Sequence, residues 1–422
     1  MRSKIILSLI VILLAAVVVG NSIYGNKLAK EIDAELKAKI ADNELPVTID
    51  YAKVKVNPLF SKVKILGVSV ANPDGEERFK CEMFDIDIPY KEAQRWLEST
   101  EFEEIHSVKI KLVKPEFSGE EAIAFVTFNN LVIDFDGQLT KADFENLKTR
   151  FPEKKQELVL SFSGMRVKLP ENMYSNPPVS QLLEQFSNVD AGSYALVYNP
   201  DSKEIDIQNF SIESPVITYK GHTTIKYEGK GLEDFKPESA YMESSLKLEP
   251  KNFEWEDENG GKGEFQLDKL VFHNKSTVTF NKQNFPQGDM TLELVNLKVR
   301  YDNANNNTGK SMMNFSLDDL DVDRLNINYH LDEEKLSISD SRIESSLLDA
   351  ELYADVDVTA SNLLNSSINE AKLTVKNLAP DLEKMVNGLE QQLGKELPRE
   401  NEAIVLELSG KLARPTIKGF EF

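Results

Sequence analysis

Beyond residue 50 the apolar residues of this chain recur at every second position, and that spacing limits the fold more than any other feature. Val54 and Val56 alternate with Lys53 and Lys55, and Phe84, Ile86 and Ile88 alternate with acids. Val108, Ile110 and Leu112 follow the same rule, as do Leu131, Ile133 and Phe135, then Leu158, Leu160 and Phe162. The pattern returns at Leu292 and Leu294, at Leu325, Ile327, Tyr329 and Leu331, at Leu336 and Ile338, and at Ile404, Leu406 and Leu408. Successive side chains on a strand point to opposite faces, so each segment has one apolar and one polar face. That is the pattern of antiparallel sheet; the buried strands of a doubly wound parallel sheet read as continuous apolar runs. Asn57-Pro58 and Asn72-Pro73-Asp74-Gly75 punctuate the strands as turns.

The phase slips twice by one residue. Phe162 passes to Met165, Val167 and Leu169 across Ser163-Gly164, and Leu294 passes to Leu297, Val299 and Tyr301. A bulge or turn at the slip keeps both apolar sets on one face.

Helical spacing is confined to short stretches. Leu28, Ile32, Leu36 and Ile40 recur every four residues, which predicts an amphipathic helix of about four turns packed on the body. Further short helices are expected over Tyr90–Leu97, Val179–Phe186 and Asp381–Leu393, the last capped by Gly394. Ahead of them all, residues 5–20 are apolar or small apart from Ser8, and Arg2 and Lys4 precede the run. Continued through Tyr24, this predicts a single transmembrane signal anchor, about 30 Å long as a helix. A cleaved signal peptide is the alternative. A short basic tail before one apolar run places the body across the inner membrane, in the periplasm.

The expected fold class is therefore mainly β: an elongated, curved antiparallel sheet or groove with a few short helices, preceded by the N-terminal transmembrane helix. The organisation read from the chain is an anchor at 1–25, a juxtamembrane helix at 26–45, and β regions at 46–190, 191–310 and 311–422. The formal net charge of −21 argues against a nucleic-acid binder. One cysteine makes no internal disulfide and no zinc cluster.

The opening segment Val54-Lys55-Val56-Asn57-Pro58-Leu59-Phe60 and Val63 to Val70, with the closing segment Leu408 to Gly419, resembles the AsmA-like superfamily of bacterial envelope proteins. Periplasmic proteins of the YdgA type are a second likeness. The resemblance implies an exported, curved β domain, and large relatives carry lipid along hydrophobic grooves. It supplies no catalytic motif.

No site chemistry stands out. His106, His222, His273 and His330 are scattered, and the acids Asp318, Asp319, Asp321 and Asp323 lack the glycine and terminal glutamate of a calcium loop. No cofactor and no enzymatic activity are expected. The candidate surface is apolar: a groove built from Leu59, Phe60, Val63 and Ile65 together with Phe125, Phe128, Leu131, Ile133 and Phe135. Ordinary sheet core is the competing reading. The functional expectation is a membrane-anchored envelope protein handling phospholipid or acyl chains, or supporting envelope assembly with other envelope proteins. The alternative is a structural or scaffolding protein that binds a partner protein, and a hydrolase of envelope polymers ranks third.

Overall fold

The computed structural model describes residues 21–38, 40–41, 47–88, 104–118, 125–168, 177–256, 260–280, 286–302, 319–359 and 363–419. The chain divides into two compact units. The first comprises Met1–Pro170, Ser187–Ile205 and Gly229–Phe235, and the second Glu171–Phe186, Asp206–Glu228 and Lys236–Phe422.

The first unit opens with a helix through residues 21–38, α1. Its strands are β1 (Thr48–Asp50), β2 (Lys53–Asn57), β3 (Lys62–Ala71), β4 (Glu77–Asp87), β5 (Glu104–Ile105), β6 (Val108–Val113), β7 (Glu116–Ser118), β8 (Phe125–Thr127), β9 (Asn130–Asp136), β10 (Leu139–Thr140), β11 (Gln156–Lys168) and β12 (Asn188–Asn199). Apart from the small β5–β10 pair, they form an antiparallel meander. β1 and β2 pair β3, β3 pairs β4, β4 pairs β6 and β7, these pair β9 and β8, and the last two pair β11, which pairs β12. A short helix, α2 (Lys141–Asn146), starts at a capping box in which Thr140 and Asp143 satisfy each other's backbone N–H groups.

A seam of backbone kinks crosses this sheet. Gly67 in β3 and Gly164 in β11 have φ of 61° and 59°, and Lys114, between β6 and β7, has 48°. Backbone bonds close the gaps: Lys114 N–H to Asn129 O at 3.0 Å, Phe128 N–H to Pro115 O at 3.0 Å, and Asn129 N–H to Ser163 O at 2.9 Å. The ring of Phe79 meets that of Phe84 at 5.8 Å. In a regular strand residues at such odd spacing point to opposite faces. The seam therefore keeps the apolar sets on its two sides on one face.

The second unit carries β13 (Glu204–Glu213), which begins in the first, then β14 (Ile217–Glu228), β15 (Lys236–Leu248), β16 (Phe253–Glu256), β17 (Lys262–Thr279), β18 (Gln287–Asp302), β19 (Asp319–Leu331), β20 (Lys335–Ser345), β21 (Asp349–Asp357), β22 (Ser367–Lys376), β23 (Arg399–Glu400), β24 (Ala403–Lys411) and β25 (Arg414–Ile417). From β14 the ladder again runs antiparallel between successive long strands, through β15, β17, β18, β19, β20, β21 and β22 to β24. The second slip lies in β18 at Asn296, with φ of 56°. The buried cluster here is Ala354, Val356, Ile368 and Ala371, backed by Leu336, Ile338, Leu408 and Leu412.

Two helices belong to this unit. α3 (Pro177–Phe186) sits against β16, with Gln181 donating to Glu254 O and Gln185 to Lys251 O. α4 (Pro380–Leu393) ends at Gly394, whose φ of 64° and N–H to the Gln391 and Glu390 carbonyls make the expected left-handed cap. None of its residues is buried, and Met385 and Leu389 stay exposed.

The membrane anchor is corrected. Among the described residues no helix is long and apolar enough to cross a membrane. α1, the described part of that region, carries Lys27, Lys30, Glu31, Asp33, Glu35 and Lys37, which are costly in hydrocarbon. Residues 1–20 of the expected 1–25 span lie outside the described residues. With the transmembrane helix go the single-pass inner-membrane and periplasmic placement, the attachment to a membrane through that helix, and the lipid-handling or envelope-assembly function, which depended on a body held beside lipid. The helix expected over Tyr90–Leu97 also lies outside the described residues.

Instead α1 packs on β2. Gly25 is buried, and a side chain there would meet the Val56 carbonyl oxygen at 2.5 Å. Asn21 donates to the Asn57 side chain at 3.0 Å and accepts from Leu59 N–H at 2.8 Å, while Tyr51 Oη donates to Asp33 O at 3.1 Å.

Gly164→Val tests the seam. An added Cβ there would run into the Asn129 side chain, on a backbone that β-branched residues avoid. Denaturant unfolding is expected to show a loss of about 2–4 kcal/mol. Gly75→Ala, at φ of 87° with open space around it, should cost only about 1 kcal/mol.

Candidate functional site

Directly opposed residues in an antiparallel ladder point to the same side. Following the register of the first unit therefore shows what lines each face. One row runs across seven strands as Val54, Ile65, Phe84, Leu112, Leu131, Phe162 and Gly192. A second crosses the same strands as Val56, Val63, Ile86, Ile110, Ile133, Leu160 and Tyr194. A third contains Val108, Phe135, Leu158 and Leu196. Across the seam a fourth contains Ile49, Val70, Phe79, Phe117, Val126 and Val167.

Phenylalanine rings tie these rows together. Phe79 meets Phe117 at 5.0 Å, Phe117 meets Phe128 at 6.1 Å, and Phe128 meets Phe162 at 5.5 Å. Such edge-on and tilted pairs contribute about 0.5–1.5 kcal/mol each beyond their area. Gly192 is required beneath Phe162, because any side chain there would occupy the ring's place. Yet most of the rows are only half-buried; Val54, Leu112 and Gly192 alone are buried, and Phe117 is exposed. A face sealed beneath a second layer would bury these side chains almost completely.

From β3 to β9 the opposite face is charged, while on β11 and β12 it carries Val159 and the buried Ala195 and Val197. Lys64 pairs with Asp85 at 3.2 Å, Lys109 with Asp134 at 2.5 Å, Lys80 with Glu116 at 2.7 Å and Lys114 with Glu82 at 2.7 Å. These exposed pairs contribute little stability each, but they keep this face in water.

Six of the nine residues expected to line a groove come together on the apolar face: Val63, Ile65, Phe128, Leu131, Ile133 and Phe135. Phe125 does not. It alternates with Val126, so it turns to the charged face, where the Lys168 ammonium lies 5.4 Å from its ring centroid. Leu59 and Phe60 sit on a short 3-10 turn after β2, 56% and 61% exposed and outside the rows. The sequence reading missed Phe84, Ile86, Ile110, Leu112, Leu158, Leu160, Phe162, Tyr194 and Leu196 as members of this surface. Their alternation was visible; the strand register that aligns them was not.

Cys81 belongs to the same face beyond the seam, opposite Val68. It is buried, its thiol contacts the carbonyls of Met83 and Val113, and burial pushes its pKa up, which disfavours the reactive thiolate.

The second unit repeats the arrangement. Ile217, Leu248, Leu270, Leu294, Leu325, Ile343, Ala350, Val375 and Ile404 form one row across nine strands. A depression of about 820 Å³ between α4 and β22 is polar, lined by Lys372, Lys376 and Arg399 among others. Each of these cations already has an acidic partner: Glu400 at 3.6 Å, Glu351 at 3.2 Å and Glu390 at 2.7 Å.

Three of the four histidines, His106, His222 and His330, are engaged with neighbouring residues. His106 lies 3.2 Å from Glu104 and His330 2.7 Å from Asp289. His222 Nε2 is 2.6 Å from Asp206 Oδ1 and 3.2 Å from Thr224 Oγ1, and Thr224 also donates to Asp206 at 3.0 Å. A nucleophile relay needs one imidazole nitrogen on the carboxylate and the other on the hydroxyl. Here the same nitrogen faces both, so this is a structural polar cluster. Among the described residues, no three His, Cys, Asp or Glu side chains are grouped to hold a metal ion. Asp318 lies outside the described residues, and Asp321 is paired with Arg300 at 3.2 Å.

Burial pushes the Asp206 carboxyl up, but hydrogen bonds from Gln208, His222 and Thr224 outweigh it and hold its pKa below the usual carboxylate value. A depressed folded-state pKa adds stability above the unfolded value, near 4, and that stability is lost as pH falls through the folded pKa. Asp206→Asn should therefore unfold more easily than the parent at pH 7, and the gap between their denaturation midpoints should be smaller at pH 3. A gap of equal size at both pH values would contradict the assignment.

Comparison with known proteins adds no name to this geometry: no family model, no curated protein and no solved structure matches the chain.

Proposed function

We propose that the chain is a non-enzymatic scaffold whose first unit binds a partner protein on its apolar sheet face. One observation carries this reading: apolar rows continue across seven strands, in register, and stay half-buried. Apart from the Tyr194 phenol, the four rows contain no titratable or hydrogen-bonding side chain. What such a surface can do is exclude water against another apolar surface. At about 25 cal/mol per Å² of apolar area removed from water, contact over a few hundred Å² supplies ample driving force before the costs of association.

The two-faced character of the sheet supports the same reading. Its charged side, laced with cross-strand ion pairs, keeps the chain in solution while the other side is occupied. The backbone of the inner strands is already paired in the ladder, so binding proceeds through side chains.

A photo-crosslinking phenylalanine analogue placed singly at Ile133 or Leu160, in the native cell, should yield a discrete protein adduct. The same probe at Lys109 or Lys111, on the charged side, should not. Equal adducts from both faces, or none from Ile133 and Leu160 in a folded protein, would overturn the partner-binding reading.

A further inference from the structure

We infer that the partner of the first unit's apolar face is a second copy of this chain, the two sheets lying face to face as the layers of a sandwich. This rests on the partner-protein reading and gives that partner its identity.

The first support is area. Seven strands about 4.8 Å apart span roughly 29 Å, and the distance along β11 from Leu158 to Val167 is roughly 30 Å; allowing for the shorter rows, the face covers on the order of 700 Å². The largest apolar patch on an ordinary monomer is about 300–600 Å². A stable pairwise interface takes about 800 Å² from each partner. The footprint of the face is thus close to what a dimer needs.

The second is charge. The formal net charge of −21 sets two copies against each other over most of their surface. The rows of this face are uncharged, so two copies can meet here without placing like charges together. A basic partner, by contrast, would be drawn to the acids elsewhere and gain nothing from these rows.

The third is the backbone. A sheet face offers no free N–H or C=O, so its occupant must bring a backbone that is already satisfied. A second copy of the same sheet does so. Apolar sheet faces pack about 10 Å apart with interdigitating side chains. In a two-fold arrangement each row serves both copies.

Analytical ultracentrifugation of the full chain, from about 1 to 100 µM, tests this. The expected result is twice the chain mass at the upper end. Ile133→Glu should raise the dissociation constant by about 100-fold or more, since it buries an unpaired charge at the contact. Ile133→Ala, which leaves the strand pattern intact, should raise it about tenfold with an unchanged circular dichroism spectrum. Lys111→Glu, on the opposite face, should leave it unchanged. A monomer at every concentration, or a dimer weakened as much by Lys111→Glu as by Ile133→Glu, would overturn the second-copy assignment. If crosslinks from Ile133 then reach a different protein, the partner reading stands and only the second copy falls. If they reach lipid alone or nothing, both fall.

Discussion

The structure depends on keeping apolar side chains in phase across neighbouring strands. A slip of one residue in any strand would send its apolar set to the charged face. The first unit has to preserve that phase past left-handed residues within β3 and β11. It does so at the seam, where Gly67 and Gly164 adopt left-handed backbone and Lys114, with Pro115 after it, separates β6 from β7. The ring contact between Phe79 and Phe84, on either side of that seam in one strand, is its visible result.

Energetically the two units differ in where they bury apolar surface. The second has a closed cluster around Val356, which is 1% exposed. Across the rows of the first unit, most side chains are only half-buried. Lateral pairs such as Ile110 with Ile133 and Ile133 with Leu160 each contribute about 0.2–1 kcal/mol, well below the value of complete burial. The remainder of the hydrophobic stabilisation is available to whatever covers the face. The nine-strand row of the second unit is half-buried in the same way, apart from the buried Ile404.

Exposed sheet edges invite unwanted pairing, and one edge here is managed visibly. Among the described residues β2 pairs only with β3, and α1 lies against it, with Gly25 close to the Val56 carbonyl and Asn21 bridging Asn57 and Leu59. Burial pushes the pKa of Tyr51 up to about 12, with its neighbour Asp33 contributing, so its hydroxyl stays a donor to α1 through the neutral range.

The sequence by itself determined the antiparallel β character, the two phase slips, and the cap of α4 at Gly394, because each follows from spacing or backbone sterics within a few residues. It also marked Val63, Ile65, Leu131, Ile133 and Phe135 as apolar strand positions. It did not determine which strands lie side by side, and so could not show that Phe162 sits beside Leu131 or that Phe125 turns away to Lys168. Register is set by pairings between residues far apart in the chain, and alternation within one strand carries no record of its neighbour. The expected membrane span fails for a related reason: apolar composition at residues 5–24 shows only that a helix there would be comfortable in lipid, whereas no helix among the described residues is long and apolar enough to cross a membrane, and Asn21 and Gly25 contact β2 and the turn after it. Whether an apolar face is core or open surface is likewise decided only by what lies above it, and that is a property of the tertiary structure alone.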